Sequence, residues 1–335
     1  MVNMYIIESY SLAVLFCIIT MLCWGSWANT QKLAGSQWRF ELFYWDYVIG
    51  IVFLSLLFGY TLGSTGDAGR SFTDDLFQAD RKSYSLAFIG GVIFNLANIL
   101  IVAAIAYAGM SVAFPVGIGL ALVLGVIVNY VATQKGDPIL LFTGVVLIVI
   151  AILMDALAYR KLAGSERKNP KVGLILALVG GFLMSFFYFF VAQSMSLDFN
   201  NPEGGKFTPY GAVFVFAIGI LMSNFVFNTI LMKRPIEGSK LYGADYFKGS
   251  LPVHLVGILG GIIWCVGMSF SIIAAEKAGP AISYGLGQGA TMVAAFWGVF
   301  IWREFKAAPK GTNLLLSGMF VLFILGLGLI VYAGA

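Results

Sequence analysis

Long apolar runs alternate with short polar connections along almost the whole chain, at 9–31, 42–64, 84–107, 111–133, 137–159, 172–194, 210–232, 251–274, 280–302 and 312–333. A hydrocarbon core takes about 20 helical residues to cross. A backbone out of reach of water must pair with itself, and a helix does so within one segment. The pattern therefore predicts an all-α integral membrane protein with ten transmembrane helices. Two boundaries are tight hairpins, 107–111 and 277–280. There a single run would be too long for one crossing, and Ala108-Gly109 and Ala278-Gly279 mark the turns. The first run starts behind Glu8, has no basic flank and exceeds a signal core, so it reads as a first span. Segment 70–82 sets Phe72, Leu76 and Phe77 among charges, the pattern of a short interfacial helix or a plain loop.

Composition agrees with a bilayer as solvent: 60% of the residues are apolar and 11% charged, against roughly a quarter charged in soluble domains. The net charge of +4 is spread over short loops and is no signal for nucleic acid. Of the 20 Lys and Arg, 14 lie in the connections that follow odd-numbered spans. The positive-inside rule makes that face cytoplasmic and places both termini outside, in the inner membrane of the cell. Cys17, Cys23 and Cys265 sit inside apolar runs and read as packing residues. His254 is the only histidine, which excludes a multi-His metal site, and no phosphate-binding loop is visible. No cofactor is expected, and an enzyme is a poor reading.

Shifting the sequence by 170 residues superposes Gly90-Gly91 on Gly260-Gly261, Ala108-Gly109 on Ala278-Gly279, and Gly117-x-Gly119 on Gly287-x-Gly289. A shift of 169 superposes Ile49-Gly50-Ile51 on Ile218-Gly219-Ile220. Such registration over several helices predicts two five-helix repeats, 1–159 and 172–335, joined by a cytoplasmic connector at 160–171. Five is odd, so the second repeat is inverted relative to the first. Inverted repeats suit carriers, because two equivalent halves can exchange conformations around one central site.

Several segments resemble the ureide permeases: Met4-Tyr5-Ile6-Ile7-Glu8-Ser9, Trp24-Gly25-Ser26-Trp27, Asp46-Tyr47, Gly90-Gly91 with Leu96-Ala97-Asn98, Gly109-Met110-Ser111-Val112, and Gly125 with Asn129-Tyr130. Phe296-Trp297-Gly298-Val299 followed by Glu304 resembles the penultimate helix of the same family. The likeness runs in order over nearly the whole chain. It implies the drug/metabolite transporter fold, in which ureide permeases sit near bacterial glucose/ribose porters. It also implies a secondary carrier of small polar solutes, often proton-coupled. The long central loop of plant members is reduced here to 160–171, which points to a compact bacterial-type relative.

A carrier site needs a few polar groups near mid-membrane in an apolar cavity. Asn95 and Asn98 lie three apart near the middle of the third span, and their amides suit a neutral solute. The match to the family at Asn98 favours function over helix packing. Gln288 and Thr291 hold the corresponding level of the ninth span, and Tyr188 with Ser185 the sixth. Trp24 and Trp27 offer stacking faces for a planar ring or a sugar, as does Trp264, whereas Trp297 reads as core. Asn224 and Asn228 share a face of the seventh span but rank lower, outside the cavity helices the resemblance implies. No carboxylate falls at mid-depth. Asp46, Asp155 and Glu304 lie toward the cytoplasmic ends, where ion pairs with neighbours such as Arg39 and Arg303 are the plain explanation. If protons are coupled, Glu8 or Asp46 carries them.

The partners expected are therefore the lipid bilayer and a small neutral polar solute, with a proton if transport is coupled; simple facilitated diffusion is the alternative. A ureide or nucleobase comes first, a sugar second, and metabolite or drug export third.

Overall fold

The structure, a computed structural model, describes residues 4–35, 38–162, 169–236 and 238–335, apart from the Ser111 side chain. The middle of the expected connector, 163–168, lies outside the described residues. Among those described, ten helices are long and apolar enough to cross a membrane. They comprise α1 (Tyr10–Ser26) with α2 (Ala28–Ala34), α3 (Phe40–Tyr60), α5 (Arg81–Ala108), α6 (Met110–Thr133), α7 (Pro138–Leu162), α8 (Pro170–Ser194), α9 (Pro209–Lys233), α11 (Leu251–Ala278), α12 (Pro280–Gly287) with α13 (Ala290–Phe296), and α14 (Thr312–Tyr332). Two short helices, α4 (Phe72–Gln78) and α10 (Gly243–Tyr246), lie in the connections after the second and seventh spans.

Local chemistry sets the ends. Side chains of Ser9, Asp80 and Asn169 accept from the third residue onward, satisfying exposed N–H groups of α1, α5 and α8. Pro170, Pro209 and Pro280 occupy first turns, where their missing donor costs nothing. Both predicted hairpins turn on a glycine in the left-handed region, Gly109 at φ +79° and Gly279 at +83°.

The ninth span is not one helix, as the apolar run alone suggests. It breaks at Gln288-Gly289 and ends in a π turn, Trp297–Ile301. Segment 70–82 does contain a helix, but α4 does not lie loose at the interface. Its Phe72 and Asp75 are buried, and Asp75 accepts from the backbone N–H (2.8 Å) and hydroxyl (2.9 Å) of Thr208 at the head of α9.

The spans sort into two packed groups. In one, α1 and α3 pack on α11, and α1 also packs on α12 and α13; in the other, α5 packs on α8 and α9, and α6 on α8. α7 pairs with α14 at the side, and α3 against α9 and α12 against α6 join the groups. Several crossings bring backbones into contact, two of them most closely. A Cβ on Gly50 would strike the Ile258 carbonyl, and one on Gly261 that of Tyr47. Likewise Gly91 faces the Phe216 carbonyl and Gly219 that of Phe88. Lipid tails provide no hydrophobic drive for helix association, so such close approach is what holds spans together.

Candidate functional site

The two groups meet in an aromatic box. Tyr47 of α3 lies 4.6 Å from Trp27, 5.3 Å from Tyr44 and 6.3 Å from Trp264 between ring centroids. Trp24 stacks on Trp264 at 5.9 Å, and its indole donates to the Trp264 carbonyl at 3.3 Å. From the other group, Phe94 approaches Trp264 to 4.5 Å. Asn98 donates to the Tyr44 hydroxyl at 3.1 Å.

This brings Trp24, Trp27 and Asn98 together. Asn95 turns elsewhere, donating to Ser223 at 2.8 Å and to the Ile220 carbonyl at 3.3 Å on α9. The two amides share a face, about 60° and one turn apart, and that step carries one toward α9 and the other toward α3. Gln288 and Thr291 form the break of the ninth span, with the Thr291 hydroxyl donating to the Gln288 carbonyl at 2.9 Å. Gly287, just before that break, lies against the Trp24 ring. Tyr188 sits apart from the box, in a hydroxyl cluster with Ser271 and Ser283. Ser185 is satisfied locally by the Phe182 carbonyl. Trp297 is half-buried and donates to the Ser26 hydroxyl at 2.9 Å.

Tyr44, Tyr47 and Trp264 complete the box. Only Trp264 stood out beforehand, because tyrosines in an aromatic-rich span look like packing. Tyr47 differs on one count: its hydroxyl is buried without a partner, as are Asn95 Oδ1 and both amide atoms of Asn224. An unmade buried hydrogen bond costs about 1–3 kcal/mol. The Tyr47 hydroxyl lies among the ring faces of Trp27, Tyr44 and Trp264 without a hydrogen-bond partner among the described residues.

The charged groups pair differently from their sequence neighbours. Arg39 pairs with Glu41, not Asp46, and Glu304 with Lys32 at 2.7 Å, not Arg303. Glu304 also accepts from Tyr159 at 3.0 Å. Asp46 is fully buried and accepts from Trp38 (3.1 Å), Tyr246 and His254, whose Nδ1 lies 2.8 Å away. Glu8 is exposed and makes no ion pair among the described residues. Sequence could not find the Asp46–His254 pair, whose members lie 208 residues apart.

The family model for sugar transport proteins matches residues 15–333. The chain belongs to that family. It is thus a multi-pass membrane transporter, in keeping with the ten candidate spans among the described residues. It is similar, at 21% identity over 383 residues covering 98% of each chain, to ureide permease 1 of Arabidopsis thaliana. Ureide permease 4 of the same plant is 22% identical over 392 residues, covering 96% of each. "Putative sugar uptake protein YxfA" of Lactococcus lactis subsp. lactis is 23% identical over 305 residues, with 89% and 90% covered. A solved structure, described only as a crystal structure of protein, shares the fold at a TM-score of 0.57 and 15% identity over 96% of each chain.

Proposed function

We propose that this transporter is an alternating-access importer of a small neutral polar solute of ureide or nucleobase type, bound in the aromatic box. The observation that carries the reading is the Tyr47 hydroxyl, buried and unpaired between Trp27, Tyr44 and Trp264. With Asn98 on the neighbouring Tyr44, the box offers flat faces, a donor and an amide acceptor, which suit a planar ring edged by C=O and N–H.

The two halves, 1–159 and 172–335, act as inverted repeats in this reading. Packing supports it: α5 on α8 and α9 has its counterpart, five spans on, in α11 on α1 and α3. The crossing of Gly91 with Gly219 maps onto that of Gly261 with Gly50 at the 170- and 169-residue shifts. A difference in burial between the hairpins supports a particular state. Every residue of Pro280–Gly287 is buried, whereas Val112, Phe114, Pro115 and Val116 in its counterpart are half-exposed. The molecule is then closed on the face bearing the termini, the extracytoplasmic face by the charge rule, and looser on the basic face. Asp46, held with His254, is the proton-coupling carboxylate; exposed Glu8 is not.

A sugar carrier is the second reading, favoured by the family and by the name of the Lactococcus relative. Thermal-shift measurements on purified protein with allantoin, uracil, glucose and ribose decide between them, because ligand binding to the native state stabilises it. A shift with allantoin or uracil that Asn98→Ala removes supports the first. A shift confined to the sugars replaces it with the second.

A further inference from the structure

Between the box and the face bearing the termini lies a second polar group, set in apolar surroundings. Tyr188 of α8 donates to the Ser271 carbonyl of α11 at 3.0 Å and to the Ser283 hydroxyl of α12 at 3.2 Å. The Ser271 hydroxyl lies 3.2 Å from that of Tyr188 and 3.0 Å from that of Ser283, and Ser283 donates to the Ser271 carbonyl at 2.6 Å. Cys17 of α1 donates its thiol to Ser283 at 3.6 Å. All four side chains are fully buried. Phe16 stacks on Phe270 at 4.3 Å beside them.

Tyr188 belongs to one helix group, whereas Ser271, Ser283 and Cys17 belong to the other. The bonds that Tyr188 makes therefore cross the seam that must part when this face opens. Those between Ser271 and Ser283 stay within one group. We propose that the Tyr188–Ser271–Ser283 cluster is the gate on the face bearing the termini, and that a solute entering there takes over the hydrogen bonds Tyr188 gives up. The proposal rests on the carrier reading above.

The first copy of the repeat carries no such cluster. Moving Tyr188, Ser271 and Ser283 back by 170 residues gives Ile18, Ile101 and Ala113, all apolar. The hydroxyl cluster therefore has no counterpart in the first copy of the repeat. Parting the seam exchanges these buried hydrogen bonds for bonds to water, at a net cost, so an empty carrier resists opening toward the termini. A solute with adjacent donors and acceptors, whether vicinal hydroxyls or an amide edge, supplies substitutes. The loaded carrier opens more readily than the empty one, and exchange outpaces net flux.

Cys17 is a built-in reporter, since only Cys23 and Cys265 need replacement by Ser to leave it alone. Its alkylation rate by a hydrophilic maleimide measures opening. In that background, Tyr188→Phe raises the rate about tenfold, the equivalent of one buried hydrogen bond, and Ser283→Ala raises it in the same direction. Melting temperatures near that of the background exclude general loosening. An unchanged rate in both folded variants overturns the gate. For the solute part, exchange of labelled allantoin, uracil or glucose is followed in vesicles. Tyr188→Phe should raise net efflux relative to exchange, and an unchanged ratio overturns it. If none of these solutes is carried, the carrier reading of the box fails while Cys17 labelling still decides the gate.

Discussion

Asn98 and Tyr44 share a hydrogen bond of 3.1 Å that spans the seam between the two helix groups. Asn98 is half-exposed and Tyr44 fully buried, so the bond lies at the edge of the aromatic box. Removing the amide in Asn98→Ala should raise the KM for uptake about tenfold, as expected for one lost hydrogen bond, with little change in melting temperature. Asn95→Ala should do the reverse. That amide ties α5 to α9 through Ser223, so its loss lowers the melting temperature and leaves KM near the wild-type value. Equal effects of the two substitutions on KM would sink the distinction.

Tyr47→Phe keeps the ring and removes only the unpaired hydroxyl. A hydroxyl without a partner contributes nothing to the solute-free fold, so stability should hold or rise. Uptake affinity should fall by about tenfold if the hydroxyl binds solute. Measuring both quantities on one preparation tests the site directly.

Asp75 carries a pH prediction outside the spans. Burial is the largest influence and pushes its carboxyl up from 3.8 to about 6, against the opposing effects of Thr208 and Arg70. Its other facing groups are Gln78 and, from α5, Tyr84. A carboxyl with a raised folded value favours folding most when protonated. Its contribution is full below about pH 4 and is lost as pH rises through about 6. Melting temperature should therefore decline across that window, and Asp75→Asn should flatten the decline. A wild-type profile retained by the variant would remove Asp75 as its source.

Asp46→Asn should abolish the pH dependence of uptake while sparing solute exchange at equal pH on both sides. Glu8→Gln should leave that dependence intact. The reverse result would move coupling to the exposed mouth of α1. Because Trp38, Tyr246 and His254 all converge on Asp46, the variant's melting temperature must be checked alongside.

The apolar runs made the ten spans legible, because length and hydropathy are local properties. Ala108-Gly109 and Ala278-Gly279 were legible as turns for the same reason, since only a glycine enters the left-handed region cheaply. Trp24, Trp27 and Asn98 could be picked out as aromatic and amide groups at mid-depth. The helix break at Gln288-Gly289 left no clear mark, because Thr291 and the glycines around it also fit an unbroken span. The partners of Asp46 and Glu304 were hidden for another reason. Sequence proximity pointed to Arg39 and Arg303, whereas the fold brings His254 and Lys32 from far along the chain.

The two backbone crossings have a consequence for how the chain is assembled. Gly50 needs α11 and Gly261 needs α3; Gly91 needs α9 and Gly219 needs α5. Each half therefore completes its closest contacts on the other, and neither can finish folding from its own residues. Cut within the loop after α7, the two fragments should be degraded when made singly and should assemble into a working carrier when made together.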